Sequence, residues 1–88
     1  MYDIYPRWKG KPLILTKSAY NHLIDLGEDG YFVRDILDEG FDCAKSKRAK
    51  ATIERCVKHR GKITKVVVVA DYSRVLKEEV WLVTHVSD

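Results

Sequence analysis

The chain has 88 residues, 33% of them charged, and a formal net charge of +3 at pH 7. That length suits one domain with one core. No apolar run approaches the roughly 18 residues of a membrane span, and Met1–Trp8 lacks the apolar stretch of an export signal. The expectation is a soluble, cytoplasmic protein with no membrane partner.

Residues 1–11 interleave Tyr2, Tyr5 and Trp8 with Arg7, Lys9 and Lys11 and read as a basic, aromatic N-terminal arm; residues 12–88 read as a single α+β domain. Rings in such an arm can stack on exposed bases. The simpler role for Tyr5 and Trp8 is to cover the end of a small core. Pro12–Thr16 is a short apolar run, either a first strand or the extended lead-in to a helix. Thr16 can cap that helix by accepting a backbone N–H from its first turn. Ala19, Tyr20, Leu23 and Ile24 then recur on one helical face. Gly27 sits where a left-handed terminal residue is wanted.

Asp29 can cap a second helix, in which Phe32, Val33, Ile36 and Leu37 repeat the pattern. Gly40 suits a glycine-terminated end, with Phe41 folding back on the helix. Thr52–His59 alternates, placing Ile53, Arg55, Val57 and His59 on one face. Arg60-Gly61-Lys62 turns the chain. The next strand contains Val66-Val67-Val68-Val69-Ala70, apolar on both faces as in a central strand. Residues 79–86 alternate again and form the last strand. The expected fold is α+β, with two short N-terminal helices packed on one face of a three- to four-stranded antiparallel sheet.

The modest net charge hides strong polarisation. Residues 18–44 carry Arg34 against seven acidic groups, and residues 45–65 carry nine basic groups against Glu54 alone. Lys45, Lys47, Arg48 and Lys50 lie on the approach to the sheet; Arg55, Lys58, Arg60, Lys62 and Lys65 lie on the first hairpin. Clustered cations of this kind displace the counterions of a phosphate backbone, so Lys45, Lys47, Arg48, Lys50, Lys58, Arg60, Lys62 and Lys65 are the candidate nucleic-acid-binding residues. The same lysines would also protect an edge strand or answer the acidic helices.

Cys43 and Cys56 lie thirteen residues apart with no CxxC partner. Two reduced, buried thiols are expected; a bridge between neighbouring strands is the alternative. His22, His59 and His85 match no zinc spacing, so no metal and no cofactor is expected. His22 falls on the polar side of its helix, whereas His59 and His85 stand where a general acid or base could act. Arg55 shares its face with Ile53 and Val57, an expensive position for an unpaired charge. It is expected to pair with a helix carboxylate or to point into an anion cleft.

The succession Leu15-Thr16-Lys17-Ser18-Ala19, two short helices, Arg60-Gly61-Lys62 leading into Val66-Val67-Val68-Val69, and a last strand ending in Thr84-His85 resembles a small uncharacterised prokaryotic branch of the RelE and BrnT toxins, compact messenger-RNA-cleaving proteins. Ser18 stands where many members of that branch carry a histidine. The resemblance implies a sheet whose face opposite the helices holds RNA, and a metal-independent cleavage in which Arg55, His59 and His85, with Lys58, are the positional counterparts of the catalytic side chains. The leading expectation is therefore an RNA-binding domain, with metal-independent RNA cleavage as the activity it would have if it is an enzyme at all. A non-catalytic module binding an acidic protein partner or antitoxin is the alternative, as is a homodimer paired through strand 79–86.

Overall fold

The computed structural model describes residues 6–43 and 52–87. Their elements, in chain order, are β1 (Arg7–Trp8), β2 (Lys11–Leu15), α1 (Lys17–Leu26), α2 (Gly30–Glu39), β3 (Phe41–Asp42), β4 (Thr52–His59), β5 (Lys62–Ser73) and β6 (Glu78–Ser87). The helix ends are set by local chemistry. Thr16 Oγ1 accepts the Ala19 N–H at 3.2 Å, and Asp29 Oδ1 accepts those of Tyr31 and Phe32 at 3.0 and 3.3 Å. These bonds satisfy donors that the first turn leaves unpaired. Gly27 closes α1 in the left-handed conformation, with φ 74°.

Gly40 closes α2 differently. Its backbone is extended, and glycine is required there by proximity: a Cβ would collide with the carbonyl oxygens of Ile36 and Cys56. Phe41 does not fold back on the helix. It enters β3 and is half-exposed.

The expected sheet of three or four antiparallel strands is corrected to a six-stranded, mixed, curled sheet in the order β1-β2-β6-β5-β4-β3. Three features account for the difference. Lys9 and Gly10, both at positive φ, make a tight turn that folds part of the presumed arm back as β1. The apolar run Pro12–Thr16 is strand through Leu15 rather than lead-in, with Thr16 left to cap α1, and β2 pairs parallel to β6, Leu13–Leu15 against Trp81–Val83. Residues 41–42 add the short edge strand β3, with Phe41 opposite Cys56 and Asp42 opposite Arg55. Because β6 lies between β2 and β5, Trp81–Val83 of the edge expected to pair a homodimer through strand 79–86 are already paired within the chain.

The core lies between the helices and one face of this sheet. It joins Ala19 and Leu23 of α1, Val33, Ile36 and Leu37 of α2, Trp8, Leu13, Val66, Val68, Trp81, Val83 and Val86. In α1 the buried stripe is Ala19 and Leu23, while Tyr20 and Ile24 face outward. Trp8 is only 5% exposed, its ring 5.3 Å from that of Trp81. Trp8 donates its indole N–H to Asp38, and Trp81 donates to the Trp8 carbonyl. None of the helices is long and apolar enough to cross a membrane among the described residues.

Candidate nucleic-acid interface

Antiparallel register assigns each strand residue to a sheet face, because directly opposed residues share a side and neighbours alternate. Ile53, Arg55, Val57 and His59 face the helices, opposite Val68, Val66, Thr64 and Lys62. Glu54, Cys56 and Lys58 face the other way, opposite Val67, Lys65 and Ile63. The register shift between Val67 and Val68 leaves Thr84 unpaired and puts His85 opposite Val67, on the side away from the helices.

The three sequence-derived catalytic candidates therefore do not converge. Arg55 is held by α2 and β3: one terminal nitrogen donates to the Gly40 carbonyl and the other meets Asp42 Oδ1 at 3.3 Å. Its expected carboxylate partner is real, but comes from β3 rather than a helix. His59 packs its ring against Phe32, centroids 4.7 Å apart, with Nε2 3.3 Å from a Glu28 carboxylate oxygen but without hydrogen-bond geometry. His85 stands on the opposite face, exposed, its Nε2 2.8 Å from Ser87 Oγ. Arg55 and His59 are tied to the helical layer, so of these three candidates it is His85 that has the accessibility an acid–base group needs.

Of the candidate phosphate contacts, Lys45, Lys47, Arg48 and Lys50 lie outside the described residues. Lys65 Nζ pairs with Glu54 at 3.1 Å, and that carboxylate side chain is only 7% exposed. Lys58, Arg60 and Lys62 are exposed at the end of the β4–β5 hairpin, whose turn residues Arg60 and Gly61 have φ of 52° and 80°. Among the described residues, no ion pair engages these three cations.

One row across the open face was not visible in the sequence. Phe41 is opposite Cys56, Cys56 is opposite Lys65, and Lys65 is opposite Ser87. Four strands thus align an aromatic ring, a sulfur, a cation and a hydroxyl. Lys58 and Ile63 lie on the hairpin side of this row, and His85 on the other. Phe41 and Ile63 are each 50% exposed. Sequence reading placed Phe41 against the helix because it follows Gly40; only the β3–β4 register turns it to the open face.

Cys43 and Cys56 are joined in a disulfide, their Cα atoms 5.3 Å apart, which corrects the expectation of two free thiols. The physical reason is the same β3–β4 pairing, which brings together two positions that the sequence separates. The chain matches no protein-family model, no curated protein and no solved structure.

Proposed function

We propose that this chain is a small cytoplasmic domain that binds single-stranded RNA on the sheet face opposite its helices. The observation that carries the reading is the exposed Phe41 in one row with Lys65 and Ser87, with Lys58 on the same face. Arg60 in the adjoining turn and Lys62, on the helix-facing side of the register, stand exposed at the hairpin end, and among the described residues no ion pair engages Lys58, Arg60 or Lys62. Single strands are bound by combining cations that track phosphates with aromatic faces on which bases stack. The kinship with RelE and BrnT toxins belongs to this proposal, and an acidic antitoxin would then compete with RNA for the same face.

Cleavage is a second reading, and His85 is what favours it. An exposed imidazole hydrogen-bonded to Ser87 can take a proton from a ribose 2′-hydroxyl or return one to a leaving oxygen. Arg55 and His59 act in this proposal through the fold, by holding β4 to α2, β3 and the α1–α2 connection.

The test is titration of a labelled uridine-rich single strand at several salt concentrations. If Lys58, Arg60 and Lys62 each engage a phosphate, replacing all three with Gln reduces the log–log salt slope by about 2. Phe41→Ala lowers affinity by about 1–3 kcal/mol without changing the slope. Tight binding of an acidic polypeptide with no RNA binding at low salt would replace this reading with the protein-interaction one.

A further inference from the structure

β3 is a weakly held strand. It has two residues, Phe41 and Asp42, both exposed, each with a single register partner on β4. Among the described residues its further ties are the Arg55–Asp42 ion pair and the Cys43–Cys56 disulfide. Neither cysteine belongs to the apolar cluster between helices and sheet. Cys56 is on the open face, opposite both Phe41 and Lys65. Both cysteines are nonetheless buried, at 8% and 4% exposure, so the bond fixes β3 and Phe41 from a small buried site outside the helix–sheet cluster.

We propose that Cys43 and Cys56 form a thiol–disulfide switch that sets the position of Phe41 and so the affinity of the open face for single-stranded RNA; this rests on the function proposed above. The reductant is a dithiol. Its thiolate attacks one sulfur of the pair, forming a mixed disulfide and releasing the other cysteine as a thiolate. The dithiol's second thiolate then displaces the remaining cysteine. Two electrons and two protons pass to the protein, and the dithiol leaves as its own disulfide. In a reducing cytoplasm a bridge of this kind is conditional rather than permanent, which is the setting a switch requires.

Two features favour local opening. Cys43 adjoins the two-residue strand at the sheet edge, so parting β3 from β4 separates the two backbone segments that hold the buried sulfurs together. The β4–β5 and β5–β6 ladders, and the helices behind them, do not depend on it. Release of β3 unseats the aromatic member of the row and leaves Lys58, Arg60 and Lys62 in place. Reduction should therefore weaken stacking while preserving the salt dependence contributed by the hairpin.

The experiment compares the whole protein, oxidised and after treatment with dithiothreitol, with a Cys43→Ser/Cys56→Ser double variant. The readouts are affinity for a uridine-rich strand and amide exchange at Phe41–Cys43 and in β5. Reduction is expected to weaken binding at least about fivefold, the lower end of one base stack, and to accelerate exchange at Phe41–Cys43 but not in β5. The double variant should match the reduced protein and ignore dithiothreitol, and Phe41→Ala should remove the redox dependence of binding. Equal affinity in both redox states, or unchanged exchange in β3, overturns the switch. So does loss of β5 protection on reduction, which would make the disulfide a staple for the whole fold. Failure to bind RNA in either state defeats the proposed function instead, and the exchange at Phe41–Cys43 still decides whether the bridge governs β3.

Discussion

Gly40 and Arg55 solve one problem from two sides. α2 must stop and turn directly into β3 while lying against β4, so backbone meets backbone with no room for a side chain at position 40. Arg55, reaching back from β4, supplies the donor that the Gly40 carbonyl needs and the cation that Asp42 needs. Gly40→Ala is expected to destabilise the protein by roughly 1–3 kcal/mol, as overpacking does, measured by urea denaturation. Thr64 is the opposite case: its hydroxyl is fully buried on the helix-facing side of β5 with no hydrogen-bond partner. Thr64→Val removes an unpaired polar atom and should stabilise by about 1 kcal/mol or more. A loss of stability would mean that the hydroxyl has a partner in solution.

Helix caps are legible because they are local. Thr16 and Asp29 meet their donors within three residues, and the Arg60-Gly61 turn needs only those two residues in left-handed conformation. Which stripe of a helix is buried is less local. In α1 the sequence offers Ala19 and Leu23 together with Tyr20 and Ile24, two adjacent rows. A helix ten residues long that packs through small Ala19 buries only one of them. The check is a pair of truncations. Leu23→Ala should cost about 2–5 kcal/mol, whereas Ile24→Ala, at a site 56% exposed, should stay within about 0.5 kcal/mol of zero. Equal costs would mean that the outer row is covered. For α2 the choice does not arise, because Val33, Ile36 and Leu37 are all buried and Phe32 packs beside them.

The alternation of β4, the turn after it and the apolar run of β5 contain the antiparallel centre of the sheet, so that part could be read directly. The parallel pairing of β2 with β6 could not. Leu13–Leu15 and Trp81–Val83 sit near opposite ends of the chain, and nothing in either segment names the other. The open-face row was hidden for the same reason: Phe41, Cys56, Lys65 and Ser87 come from four strands, and their alignment is a product of register alone.

This topology also brings residues ahead of Pro12 into the folded unit. A boundary at residue 12 follows from composition, since residues 1–11 look like an arm. Yet the Lys9-Gly10 turn returns Trp8 to the core, where its ring meets Trp81 and its carbonyl accepts the Trp81 indole N–H at 3.1 Å. Arg7 reinforces the return by pairing with Glu78 at 3.2 Å, at the start of β6. A chain beginning at Pro12 therefore loses a buried tryptophan, leaves a second one partly uncovered, and strips β2 of its outer neighbour. Removing a buried tryptophan side chain alone costs about 3–5 kcal/mol, a large share of the 5–15 kcal/mol that typically stabilises a domain. The shortened chain is expected to melt at least about 12 °C below the whole one, given roughly 4–8 °C per kcal/mol at this size. Trp8→Ala in the full chain should account for most of that fall, and Trp8→Phe for much less. Thermal denaturation followed by circular dichroism separates the cases. A chain starting at Pro12 that melts within two or three degrees of the whole protein would show that β1 decorates the sheet rather than completes it.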